Sequence, residues 1–174
     1  MSGGVQNIAR IPELQRRILF TLGMLAIYRV GAHVATPGIN PEVIKQFFDQ
    51  MSGSVFGLFN LFSGGALEQL SILALGIMPY ISATIIFQLL AVVIPSLEAI
   101  QKEGEQGRKK ISQWSRYATI VLALGQGLLL AFALENGQFG EGAVIEAGWS
   151  FRLMTMLTLT TGTAFIMWLG EQIT

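Results

Sequence analysis

No Asp, Glu, Lys, Arg or His occurs between Gln69 and Leu97. A helix over about residues 70–94, rising about 1.5 Å per residue, is long enough to cross a hydrocarbon core of about 30 Å. Pro79 lies well inside this stretch and predicts a kink, and Pro95 closes it. The piece before it is different in kind. Val55 to Phe62 is apolar and aromatic but far too short to span, and Gly53, Gly57, Gly64 and Gly65 bracket it. Such a segment beside a full span predicts a re-entrant element, sheltered by protein or lining a cavity, because lipid cannot satisfy irregular backbone.

Three further stretches read as spans, at about 18–34, 117–134 and 151–170. The chain is 52% hydrophobic and 13% charged, where soluble domains carry about 25% charged residues. The fold class is therefore an all-α polytopic membrane protein, with four transmembrane helices plus a short re-entrant helix. Before the first span, residues 7–17 mix Ile8, Ile11 and Leu14 with Arg10, Glu13, Arg16 and Arg17, the pattern of a short amphipathic surface helix. Arg29 and His33 fall in the second half of the first span and are read as snorkelling to the interface. Pro37-Gly38 breaks the chain, and Asn40-Pro41-Glu42 opens a short helix with Val43, Ile44, Phe47 and Phe48 on one face. Residues 98–116 read as a polar loop. Gly104 and Gly107 are wrongly spaced for a phosphate-binding loop.

Basic residues set the orientation. Arg10, Arg16 and Arg17 precede the first span, and Lys102, Arg108, Lys109, Lys110 and Arg116 lie between the second and third. The opposite side receives only Lys45, with Arg152 at its edge. The N-terminus and the 98–116 loop are thus cytoplasmic, and the glycine-bracketed segment and the 135–150 loop are exterior. A net charge of zero advertises no polyanion, so no nucleic-acid readout is expected. With no cysteine, disulfides and thiolate chemistry are excluded.

The spans carry hydroxyls and amides, including Ser82, Gln88, Thr119 and the group Thr158, Thr160, Thr161 and Thr163, but no carboxylate or lysine. Catalysis needs convergent nucleophiles, bases or metal ligands, and none converge here. No enzymatic activity, metal or cofactor is expected. The threonines read as helix back-bonding or interhelical hydrogen bonds. Ile77 and Ile81 are four apart and share a helical face across Pro79. Two isoleucines on a membrane helix most often face lipid or a neighbour. The functional alternative is an apolar constriction that excludes water and ions by dewetting.

Phe62-Ser-Gly-Gly-Ala66, Ala74-Leu-Gly-Ile-Met-Pro-Tyr-Ile-Ser82, Lys102-Glu-Gly-Glu105 and Gly107-Arg-Lys-Lys-Ile-Ser112 follow one another in order, and the chain closes on Trp168-Leu-Gly-Glu-Gln-Ile-Thr174. This succession resembles the N-terminal part of the SecY family, the bacterial protein-conducting channels. The resemblance implies a pore-forming subunit that moves unfolded polypeptide across the cytoplasmic (inner) membrane and sideways into it. It implies that residues 55–68 form a plug, with Phe59, Leu61 and Phe62 packing it and Asn60 and Ser63 completing it. It assigns Ile77 and Ile81 to the hydrophobic pore ring. It sets Ser82, Gln88 and Thr119 near the lateral gate, and Lys102, Arg108, Lys109 and Lys110 in a cytoplasmic basic loop.

The partners implied are SecE and SecG, SecA or the ribosome on the cytoplasmic side, a signal sequence or nascent polypeptide, and membrane lipid. The family has ten spans in two inverted halves, and four spans supply only part of that ring. The resemblance therefore implies an incomplete half of an inverted-repeat channel, inactive without the remaining half. A small four-span transporter and a membrane scaffold subunit are the rival readings. The first would need a polar midplane site.

Overall fold

A computed structural model describes residues 10–62, 64–76 and 78–174. The expected pore residue Ile77 and plug residue Ser63 lie outside the described residues, as does the start of the expected surface helix at Asn7.

Helix α1, Pro12–Ala32, opens on a proline in its first turn and ends at His33. The surface helix and the first span expected as separate elements are one helix, since neither Gly nor Pro interrupts the chain from Glu13 to Leu22. Helix α2, Pro41–Gln50, forms as its sequence predicts. The Asn40 side chain accepts from the Glu42 amide at 3.1 Å, and Ile44 and Phe48 are buried. Phe47 meets Phe139 edge-on at 5.0 Å. Helix α3, Val55–Phe62, is the short apolar helix.

The chain then departs from expectation. Residues 64–76 form successive turns, so the helix expected from about Leu70 begins only at Met78. Local chemistry explains the delay. The Ser71 hydroxyl accepts from the Leu73 amide, as residues of this type do in turns. Leu70 is held at φ +40° and Gly76 at φ +56°, both outside the helical region. Pro79 consequently sits in a first turn, where its missing N–H costs nothing, and does not kink a helix interior. The Leu70 conformation is sustained by its carbonyl, which accepts from the Thr36 amide at 3.0 Å and from the Thr36 hydroxyl at 2.7 Å.

Helix α4, Met78–Val93, is followed across Ile94 by α5, Pro95–Lys102, and the two are bent by 103°. Most of the polar 98–116 loop is helical too. Only Glu103 and Gly104 separate α5 from α6, Glu105–Glu135. Gly104 turns the chain at φ +83°, and Gly107 lets α6 pass against the end of α5, where any side chain would overlap the Ile100 carbonyl oxygen. Helix α7, Trp149–Ile173, returns beside α6. The buried stripe of α6 is Ser115, Thr119, Ala123, Gly127 and Ala131, every fourth residue and all small, which permits close helix approach. Gly127 lies directly on Met156 and Leu159 of α7.

Among the described residues there are seven helices and no strand. Helices α6 and α7 are long and apolar enough to cross a membrane. The bent pair α4 and α5 makes a third candidate only if counted as one broken span. Helix α1 has 21 residues, but Arg16, Arg17 and Arg29 all fall within any membrane-length part of it. Length and composition thus bear out a multi-pass helical membrane protein, while the expected number of four spans exceeds what they identify.

The loops at one end are tied together. Asn40 donates to Ala143 at 2.8 Å, and Ile145 donates to Gly38 at 3.0 Å. Beside them Glu135 receives Arg152 Nε at 2.7 Å and the Gly148 amide at 3.0 Å. The Arg152 guanidinium also lies 4.3 Å from the Phe132 ring centre. That Arg152 hydrogen bond holds Glu135 below its ordinary range, with the Gly148 amide helping, against desolvation that pushes it up.

Candidate functional site: an apolar groove beside α3

The turns of residues 64–76 pack into the fold more deeply than the helix that precedes them. Ala66, Leu70, Ser71 and Leu73 are buried, and the Ile72 amide donates to the Val34 carbonyl at 2.9 Å. Gly162 of α7 sits on the same segment so closely that a Cβ there would overlap the Ile72 carbonyl oxygen. This wedge between α1 and α7 is a fixed platform. It carries α3 on one side and the start of α4 on the other.

Between them lies a groove of about 710 Å³. Helix α1 contributes Leu25 and Tyr28, α3 contributes Phe59 and Phe62, the turns contribute Leu67 and Leu75, and α4 contributes Met78 and Ile81. Among the described residues, no carboxylate, amine, guanidinium or imidazole lines it. The surface is therefore one that water wets poorly and that cannot bind a charged ligand by pairing.

Ile81 thus shares one cavity with Phe59 and Phe62 of α3. Ile81 remains 40% exposed within it, so it does not belong to the closed core. Of the three residues expected to pack the plug, Phe59 and Phe62 line the groove. Phe62 is 89% and Leu61 77% exposed, and Leu61 does not line the groove. What holds α3 is hydrogen bonding at its exit. Asn60 donates to the Glu68 carboxylate at 2.9 Å and accepts from the Glu68 amide at 3.0 Å. The Gly65 amide returns to the Asn60 carbonyl at 3.0 Å, with Gly64 and Gly65 at φ +64° and +83°. These are the turn glycines that a left-handed helix exit requires.

One contributor was missed in the sequence. Arg29 does not simply reach for water: its Nη1 donates to the Gly64 carbonyl at 2.7 Å. The His33 ring Nδ1 contacts the Arg29 carbonyl oxygen at 2.8 Å, which binds it to α1's own backbone. The available signal was the cost of a cation in an apolar helix, which demands a partner as well as an exit.

None of the three residues assigned to a lateral gate lines the groove. Ser82 is half-buried and Gln88 exposed on α4. Thr119 is fully buried on α6, and its hydroxyl donates to the Ser115 carbonyl at 2.7 Å. Thr160, Thr161 and Thr163 make the same bond one turn back, as expected of membrane-helix hydroxyls. In the basic stretch, Lys102 pairs with Glu98 at 2.6 Å and Lys110 with Glu103 at 3.6 Å. Arg108 and Lys109 are exposed and make no ion pair among the described residues.

Comparison with known proteins follows the same lines. The SecY family profile matches residues 71–174. The chain is 52% identical over 162 residues to "Protein translocase subunit SecY" of Escherichia coli strain K12, covering 93% of this chain and 37% of that protein. The protein of the same name from Buchnera aphidicola subsp. Acyrthosiphon kondoi is 51% identical over 162 residues, covering 93% of this chain and 46% of its own length. That from Streptomyces griseus is 48% identical over 172 residues, covering 95% and 39% respectively. The chain therefore spans less than half the length of the relatives it matches.

Proposed function

The chain belongs to the SecY family, and on that premise we propose that it forms part of the pore subunit of a protein-conducting channel, through which unfolded polypeptide crosses the bacterial cytoplasmic membrane or moves sideways into lipid. The supporting observation is the shared groove: Ile81 at the start of α4 faces the same apolar space as Phe59 and Phe62 of α3. An apolar waist denies ions a continuous file of water, yet its flexible side chains can close around any passing segment. In this reading Ile81 contributes to the waist, a role also assigned to Ile77, which lies outside the described residues. Helix α3 is the stopper, held at its exit and with none of its described side chains fully buried. Being lightly packed is what a displaceable element needs.

The outer face of α4 suits a gate wall. Ile85, Leu89 and Val92 are 50%, 63% and 78% exposed, leaving an apolar strip for a signal sequence, for lipid or for the opposing half of the channel. The N-terminus and the region from α5 to the first turns of α6 face the cytoplasm. There Arg108 and Lys109 are unspent charges available to a ribosome or a motor ATPase such as SecA. SecE and SecG would complete the assembly.

A photoactivatable side chain at position 81, in the complete channel, tests the proposal. A secretory chain stalled during translocation should crosslink there, and idle channels should crosslink to α3 instead. Crosslinking to lipid alone in both states would sink the assignment.

A further inference from the structure

A second groove lies where the start of α6 meets the end of α7. It encloses about 330 Å³, and Arg116, Tyr117, Ile120, Met167, Trp168 and Glu171 contribute to its walls. Arg116 Nη2 and a Glu171 carboxylate oxygen bridge the two helices at 2.6 Å, which fixes those residues at one level. Since the helices run in opposite directions, Ile120 lies one turn deeper along α6 and Met167 one turn deeper along α7. Polarity is therefore graded along the groove: an ion pair at the rim, then the exposed aromatic rings of Tyr117 and Trp168, then an aliphatic floor. That is the order in which a phospholipid presents phosphate and headgroup, glycerol and acyl chain.

The charges also discriminate among headgroups. The side chains of Arg116 and Glu171 remain 43% and 39% exposed, so each keeps hydrogen-bonding capacity beyond their mutual contact. The pair is neutral as a unit. An anionic headgroup gains from Arg116 but is opposed by Glu171 at the same level. A zwitterion with a primary ammonium gains from both, because its phosphate accepts from the guanidinium while its N–H groups donate to the carboxylate. A trimethylated amine has no such donors.

We propose that this groove binds a phospholipid bearing a primary ammonium headgroup, with Arg116 on the phosphate and Glu171 on the ammonium. The site is independent of the pore described above and needs only that α6 and α7 stand in a membrane.

The test is native mass spectrometry of the purified protein after exposure to micelles holding equal amounts of phosphatidylethanolamine, phosphatidylcholine and phosphatidylglycerol. Retention of the ethanolamine lipid should exceed that of the other two by about fivefold, the effect of one well-placed charge near a membrane surface. Arg116→Gln and Glu171→Gln break the same ion pair but should act differently. Glu171→Gln should shift retention toward phosphatidylglycerol, and Arg116→Gln should lose the ethanolamine lipid without that gain. Ile120→Trp fills the floor and leaves the pair intact, and it should reduce retention at unchanged melting temperature. Identical lipid profiles in the two glutamine variants would overturn the proposal. So would wild-type preference for the glycerol or choline lipid, or undiminished retention in Ile120→Trp.

Discussion

Arg29 near the end of α1 donates to the carbonyl oxygen of Gly64 at 2.7 Å, joining the first helix to the exit of α3. The contact adds to the Asn60–Glu68 pair at the exit of a helix whose described side chains are largely exposed. Because the pair is solvent-accessible, its loss should cost only about 1 kcal/mol, roughly a fivefold change in the population of displaced α3. Arg29→Met should raise hydrogen exchange across residues 55–62 by that factor. It should equally speed labelling of a cysteine placed at Leu61, the natural chain having none. Unchanged exchange would mean that Asn60 and Glu68 hold α3 without help.

Gly162 is the narrowest point of the platform on which the groove rests. A methyl group there would overlap the Ile72 carbonyl oxygen, a backbone atom tied into the turns of residues 64–76. Gly162→Ala should therefore destabilise by about 1–3 kcal/mol through overpacking, lowering the melting temperature by about 2–4 °C per kcal/mol. Gly125→Ala is the control. Nothing lies within 4 Å of a Cβ at that position of α6, so it should melt no lower than the parent. Equal effects in the two variants would show that helix propensity, and not the close approach, governs both.

At the loop end, Glu135 has its titration lowered, first by the Arg152 hydrogen bond. A carboxyl with a lowered folded pKa adds stability above its ordinary value of 4.5, and that stability disappears as pH falls through the folded value. The melting temperature should thus be flat near neutrality and decline below about pH 4.5. Glu135→Gln should start lower, because Arg152 loses its partner, and should show less of that decline. Parallel pH profiles for variant and parent would assign the acid sensitivity to other carboxylates.

The elements legible in the sequence are those written in single, local chemistries. Asn40-Pro41-Glu42 did start a helix, and Ile44 and Phe48 did bury. The long apolar runs over α6 and α7 did form helices fit to cross a membrane. What misled the reading was a signal that burial overrides. The charge-free run after Gln69 looks like one continuous span, but its first part is buried turn structure whose backbone is satisfied by Thr36 and Val34 from elsewhere in the chain. Hydropathy records that such residues avoid water, and it is silent on whether a helix or a packed wedge hides them. The polar 98–116 stretch erred in the opposite direction, since amphipathic helices at a membrane surface have the composition of loops. Arg29 was legible as an anomaly, but its partner was not, because Gly64 is 35 residues away.

The groove itself makes the sharpest demand. If the apolar lining excludes ions, then one polar substitution at Ile81 should admit them, because a side chain that hydrogen-bonds water removes the dewetted gap. Ile81→Asn in the complete channel should raise resting ion conductance in planar bilayers, while Ile81→Leu, equal in volume and apolar, should stay near the parent. Phe62→Ala tests the stopper separately. That side chain is 89% exposed, so truncating it should leave the stability within about 0.5 kcal/mol of the parent's. Its effect should be confined to leakage. Leakage unchanged in both Ile81→Asn and Phe62→Ala would place the ion barrier elsewhere and leave the groove a lipid-facing cleft.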